Sequence, residues 1–322
     1  MQELSCSCIF RFTEMNYTKH KHYIIMKKNL LILLVCLLAA GTTVCAKKLP
    51  KKEMALQLYS IRDLIGDPQK FANNHAAVFK QLKDMGYTAV EAAYYGDGKF
   101  YGLAPEEYKA QCEAAGLKPI SSHTTRWLSD EEVKNHDFTE ALKWWKQAIA
   151  AHKAAGCKYI VTPAFNVPKT LKEGQTWCDY HNEIGKLCNE AGLLYGYHTH
   201  SHEFQKVEGQ VWIEYMLNHI EPQNMFWQMD VYWAVMAQQS PVEWFKKFPG
   251  RCKLLHIKDK YEVGYSGMVN YEAIFNNAGL CGLQNYVVEL EGTDGTIDIM
   301  EGVRRSAEYL RSSKFVKASY SK

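Results

Sequence analysis

Short apolar runs alternate with longer amphipathic stretches along most of the chain. The runs are Met54–Tyr59, Thr88–Ala92, Pro119–Ser122, Tyr159–Thr162, Leu193–His198, Met225–Met229, Lys253–Ile257 and Tyr286–Leu290. Each is mostly apolar rather than alternating, as strands buried on both faces of a parallel sheet should be. Helical patterns lie between them. Phe71–Met85 places Val78, Phe79 and Leu82 on one face and stops at Gly86. Phe138–Ala155 stops at Gly156, Thr176–Ala191 at Gly192, and Tyr271–Ala278 at Gly279. Eight strands alternating with eight helices predict an α/β fold of a single domain, a (β/α)8 TIM barrel. The rival is an open doubly wound sheet. It would carry a Gly-rich phosphate loop after the first strand, and Tyr59-Ser60-Ile61-Arg62-Asp63 is not one.

The barrel pattern occupies residues 47–322. Before it, Met26-Lys27-Lys28-Asn29, the apolar Leu30–Ala40 and Gly-Thr-Thr-Val-Cys-Ala read as a basic n-region, a short h-region and a small-residue cleavage site after Ala46. Residues 26–46 are therefore expected to be a signal peptide and residues 1–25 an upstream extension before the true start. An uncleaved anchor is the alternative. The h-region is too short to span a bilayer, so no stable membrane insertion is expected after cleavage. Export, to the periplasm, would put the chain in an oxidising compartment. Six cysteines follow the cleavage site: Cys112, Cys157, Cys178, Cys188, Cys252 and Cys281. None forms Cys-x-x-Cys, which argues against a structural zinc site.

Composition adds one exclusion. With 38 Lys and Arg against 35 Asp and Glu, the formal charge is +3, and part of that lies in the N-terminal segment. Nothing global favours nucleic acid as a partner.

The chemistry gathers where the apolar runs stop. In a barrel those strand ends converge on one face. Gln57, Glu91, His123 and Thr162 close the first four runs. The fifth gives Tyr197-His-Thr-His-Ser-His-Glu-Phe204, with His198, His200, His202 and Glu203. Asp230 closes the sixth, His256 and Lys258 the seventh, Glu289 and Glu291 the eighth. Taken singly, Asp230 reads as a helix N-cap and His256 as a core histidine. Taken together, such groups would be costly to bury unneutralised, and a divalent cation offsets that cost.

Several segments carry a resemblance: LQLYSIRD, GYTAVEAAYYG, SSH, YGYHTHSHEF, MDVYWAVMA, LLHIKD and YVVELEGT. In that order, across the whole mature region, they resemble the sugar phosphate isomerase/epimerase family of xylose isomerase-like TIM barrels. The resemblance implies one divalent metal ion, Mn²⁺ first and Mg²⁺, Co²⁺ or Zn²⁺ as alternatives. It also implies ligands from strands 5 to 8, which by position include Asp230, His256 and Glu289. Relatives place Glu at the end of strand 5, where this chain has His198. Glu203, five residues later, is expected as the fourth ligand because an anionic group suits Mn²⁺, with His198 as the alternative. Glu291 is the alternative on strand 8. Ketose 3-epimerase relatives carry a substrate-binding His where this chain has Trp233, expected here as a sugar-stacking wall.

The function so implied is an exported, metal-dependent sugar isomerase or epimerase that removes a proton next to a carbonyl. His198, His200 and Glu289 are the expected proton carriers. Glu91, His123, Trp233 and Lys258 are the expected substrate-binding groups. The partner is a small-molecule carbohydrate, and a homo-oligomer is compatible with the sequence. A lyase or hydratase acting on keto-glycosides is the alternative on the same site. An endonuclease IV-like nuclease and a non-catalytic sugar-binding barrel rank below both.

Overall fold

The computed structural model describes residues 49–321. The signal peptide and upstream extension expected over residues 1–46 lie outside the described residues. Eight parallel strands form the barrel: β1 Ala55–Gln57, β2 Ala89–Ala92, β3 Lys118–Ser122, β4 Tyr159–Thr162, β5 Leu194–Thr199, β6 Phe226–Met229, β7 Leu254–Lys258 and β8 Asn285–Glu289. After each comes a helix: α1 Pro68–Met85, α2 Pro105–Ala114, α3 Thr139–Ala154, α4 Leu171–Ala191, α5 Trp212–His219, α6 Pro241–Lys247, α7 Tyr271–Asn276 and α8 Ile299–Ser312. Among the described residues, no helix is long and apolar enough to cross a membrane.

The helix boundaries follow local chemistry. Asp67 caps α1 by accepting from the Lys70 N–H, and Pro68 occupies the first turn, so the helix starts earlier than Phe71. Thr170 likewise starts α4 ahead of Thr176. Gly192 ends α4 with φ of 79°, a left-handed conformation that suits glycine. Gly279 does not act as the expected stop. It sits inside a short helix, Ala278–Cys281, and Gly282 closes that helix with φ of 79°.

Two arcs make the barrel. One runs β7-β8-β1-β2-β3 and the other β6-β5-β4. Single parallel bridges, His123 to Val161 and Asp230 to His256, join them at the two seams. The second seam therefore sets two titratable strand-end residues side by side.

Period-two alternation sorts the strand side chains. Leu56, Val90, Ile160, Tyr195, Trp227, Leu255 and Val288 point outward into the main core under the helices. Ala55, Ala89, Tyr159, Val161, Phe226, Leu254 and Val287 form a separate apolar plug inside the barrel. Small residues make room for large ones there. A Cβ on Gly196 would lie 2.4 Å from the Phe226 ring, so glycine on β5 lets that ring fill the barrel. The six cysteines are all buried and unpaired.

Candidate active site

One pleat above the plug, the inward side chains turn polar. Glu91 on β2 is the hub and is wholly buried. Its Oε1 accepts from Gln57 Nε2 at 2.8 Å and from His256 Nε2 at 2.6 Å, and lies 3.1 Å from His123 Nε2. Its Oε2 accepts from Gln228 Nε2 at 2.9 Å. Four strands are thereby tied to one carboxylate. The β2–β3 ladder slips one residue between Val90 and Glu91, an irregularity of the kind that re-aims side chains beside active sites.

Glu91, expected as a substrate-binding group, is enclosed by these partners. With no exposure and hydrogen bonds from Gln57, His256 and Gln228, it orients the imidazoles. Because Gln228 gives its NH₂ to Glu91, its Oε1 faces the histidines and accepts from His198 Nδ1 at 3.0 Å and His123 Nε2 at 3.0 Å. His198 therefore keeps Nε2 free, and His256 keeps Nδ1 free.

Those free atoms meet two carboxylates. His198, Asp230, His256 and Glu289 each offer one donor atom, and all four atoms lie within 4.8 Å of one another. Asp230 Oδ1 caps the following turn, Val231–Met236, accepting from the Tyr232 and Trp233 N–H groups at 2.9 and 3.0 Å. Its Oδ2 is buried and has no partner, and neither does His256 Nδ1. The N-cap reading of Asp230 and the ligand reading thus use different oxygens. Glu289 Oε2 lies 3.4 Å from His256 Nδ1 and 3.5 Å from Lys258 Nζ. Lys258 also pairs with Glu291 Oε1 at 3.0 Å, which keeps Glu291 outside the donor group.

Glu203 is not in this group. It is buried in the turn after β5, where Oε1 accepts from Tyr197 Oη at 3.1 Å and Oε2 from the His200 N–H at 2.8 Å. His202 Nε2 lies 3.1 Å from its Oε1. The expected strand-5 ligand is thus occupied in shaping its own loop, and His198 takes the place beside Asp230, His256 and Glu289. His200, His202 and Glu203 form a separate cluster.

Burial and neighbouring charges set the ionisation of these groups. Burial raises Asp230, to about 7, with Lys258 opposing and Glu289 adding to the rise. Burial opposes ionisation of Glu91 and Glu289 as well. The charges and hydrogen bonds of His256 and His123 nevertheless hold Glu91 well below the usual range. His256 and Lys258 do the same for Glu289, to about 2. Burial disfavours a charged His256, but Glu91 and Glu289 overcome it and raise it to about 10. Burial and the neighbouring imidazoles push His198 well down. A proton on His256 balances the carboxylates that a cation at Nδ1 would balance instead. Two unpartnered buried ligand atoms, two imidazoles and two carboxylates fit a borderline divalent ion. Glu91 on His256 Nε2–H supplies the outer-shell carboxylate such sites use.

The remaining candidates line the edge. His123 stacks on His256 with ring centroids 5.2 Å apart. His200 meets His198 edge-on at 4.7 Å and has a buried Nδ1 without a partner. Trp233 lies 5.9 Å from His200 and 5.8 Å from Lys258 Nζ, with its own Nε1 unpartnered. Gln57 closes the first run and Gln228 lies near the end of the sixth, but the sequence assigned neither a role in the site. Their signal was a glutamine two residues above an inward apolar residue, Ala55 or Phe226, at the last turn of a strand.

The family model of xylose isomerase-like TIM barrels matches residues 79–313. The chain belongs to this family. A sugar phosphate isomerase/epimerase of Parabacteroides distasonis is 34% identical, with a TM-score of 0.75 over 84% of this chain and 97% of that one. D-allulose 3-epimerase from Methylomonas sp. is 12% identical, with a TM-score of 0.62 over 82% and 98%. The IOLI protein, solved with a zinc atom, is 14% identical, with a TM-score of 0.58 over 82% and 97%. These last two likenesses speak for the fold alone. No protein of curated function matches the sequence.

Proposed function

We propose that the protein is a metal-dependent carbohydrate isomerase or epimerase that moves a proton at the carbon beside a carbonyl. One observation carries this reading: four buried donors from β5 to β8 converge, and two of their atoms lack any partner. His198, Asp230, His256 and Glu289 would hold one divalent ion, Mn²⁺ first. When bound, the ion supplies a Lewis acid that acidifies the C–H beside a carbonyl. Family membership and the 34% identical sugar phosphate isomerase/epimerase support a sugar substrate.

The residues divide the remaining work. Glu91 and Gln228 fix the two ligating imidazoles in one tautomer each. Tied to Gln228 through Nδ1, His198 has one nitrogen left and serves as a ligand rather than a proton carrier. His200, whose Nδ1 is unpartnered, is the imidazole free to take and return the proton, with Glu289 as the carboxylate beside it. Lys258 places an ammonium against Glu289, where it orients a substrate oxygen. Trp233 walls the site. Export with cleavage after Ala46 belongs to the same proposal, and N-terminal sequencing of the secreted protein checks it.

The test is solvent exchange. In D₂O with Mn²⁺, NMR of a ketose panel should show deuterium entering at the carbon beside the carbonyl. Asp230→Asn and His256→Ala should abolish it. Exchange that is absent with every ketose, or that survives both substitutions, overturns the proposal.

A further inference from the structure

Among the described residues, six large apolar side chains stand exposed, and five lie on loops that leave C-terminal strand ends. Tyr59 follows β1, Tyr94 follows β2, Trp127 follows β3, and Tyr265 and Met268 follow β7. Each exposes between 41 and 49% of its surface. Leu280 alone lies elsewhere. All four of these loops leave strands of the arc β7-β8-β1-β2-β3. Scattered surface hydrophobics need no explanation, but a set confined to one side of a candidate active site does.

These rings are held in place. Trp127 stands edge-on against Phe165, centroids 4.8 Å apart at 81°, and against Trp177 at 6.4 Å. Tyr59 carries the Arg62 guanidinium 4.3 Å from its ring centre. Arg62 is itself tethered to the carbonyls of Tyr59 and Glu291 at 3.0 and 3.1 Å. Tyr94 leans on the buried Tyr101 at 5.8 Å. Fixed rings lose little freedom when a ligand lands on them.

The rings are also continuous with the donor group. Gln57, which holds Glu91, accepts from the Tyr59 N–H at 3.1 Å. Glu291, whose carbonyl holds Arg62, pairs with Lys258. His123 lies a few residues before Trp127 on the same strand end.

We propose that the substrate carries a second sugar ring, and that this ring stacks on the β1–β3 loops with Tyr59 and Trp127 as platforms. The substrate class is then a glycoside or oligosaccharide rather than a free monosaccharide. One face of a pyranose presents C–H groups, slightly positive and apolar, which suit the negative face of an aromatic ring. Its hydroxyls need polar neighbours, and Arg62 beside Tyr59 and Asp294 beside Tyr265 supply them. This inference rests on the carbohydrate reading above and names its substrate class.

Calorimetry on the full chain with Mn²⁺ tests it. The probes are glucose and xylose against maltose, cellobiose, trehalose and xylobiose. At least one disaccharide should bind about tenfold more tightly than its monosaccharide. Tyr59→Ala and Trp127→Ala should erase that advantage and leave monosaccharide binding unchanged, while Trp127→Phe should keep most of it. No disaccharide advantage, or one that survives both alanine variants, overturns the inference. Metal content and deuterium exchange are read on the same samples. Metal and exchange without a disaccharide advantage sink this inference alone. A ring-dependent advantage without metal sinks only the proton-transfer reading.

Discussion

Ala55, Ala89, Phe226, Leu254 and Val287 fill the lower half of the barrel, whereas Gln57, Glu91, Gln228, His256 and Glu289, two residues further along the same strands, fill the upper half. Both layers are buried. The lower one stabilises by removing apolar surface from water. The upper one costs free energy unless every polar atom finds a partner. Glu91 and Gln228 satisfy much of it, while Ser121 Oγ, Asp230 Oδ2, His256 Nδ1, His200 Nδ1 and Trp233 Nε1 have no partner. Under the proposed function, Asp230 Oδ2 and His256 Nδ1 are the atoms that a bound ion would satisfy. Stability and chemistry are thus separated by a single pleat.

The largest effect should come from breaking the lower layer. Phe226→Ala leaves a cavity against Gly196 and should cost about 3–5 kcal/mol in urea unfolding. Metal binding per folded molecule should not change. Equal loss of both would show that the layers are not independent.

Histidines sharpen the comparison. His152 and His181 are as buried as His198 and His256, but they lie outside the barrel and have only neutral partners. His152 contacts Ala148 O at 2.6 Å and Thr124 Oγ1 at 3.0 Å, and His181 contacts Tyr195 Oη at 2.7 Å. Burial lowers them from 6.5 to about 4 and about 3. The unfolded chain therefore takes up protons below pH 6.5 that the folded chain refuses. Their stabilisation is complete above 6.5 and is lost as pH falls from there towards 4 and then 3, on the order of 3 kcal/mol for His152 and about 5 kcal/mol for His181. The urea midpoint should drop between pH 7 and pH 5, and His181→Phe should flatten part of that slope. An unchanged slope would contradict this.

Within the upper layer, Glu91→Gln removes the charge that fixes His256. It should weaken metal affinity about 10- to 100-fold, read by competition with a chelating dye. The smallest effect should follow Glu203→Gln, which disturbs the turn after β5. About 1 kcal/mol of stability should be lost, with metal stoichiometry unchanged. Loss of the metal would return Glu203 to the ligand set.

These contrasts explain what the sequence could reveal. Each apolar run lies within one or two residues of an observed strand, because barrel strands are apolar on both faces. Asp230, His256 and Glu289 stand out in the sequence as polar groups at strand ends, and the family resemblance singled them out as expected ligands. Choosing between His198 and Glu203 needed the turn after β5, since proximity in sequence says nothing about which oxygens Tyr197 and His200 already occupy. Glu91 looked like its neighbours until its three donors arrived from other strands. Gln57 and Gln228 carry no charge and were given no role, although they hold the layer together. The small hairpins at Tyr95–Phe100 and Lys206–Val211 were also hidden, being too short to show a period.

Metal content measured by mass spectrometry, after dialysis against Mn²⁺ and removal of free ion, tests the central claim most directly. The folded chain should retain one ion per molecule, and folded Asp230→Asn and His256→Ala should retain none. A native chain without bound metal, or variants that keep it, would contradict the account.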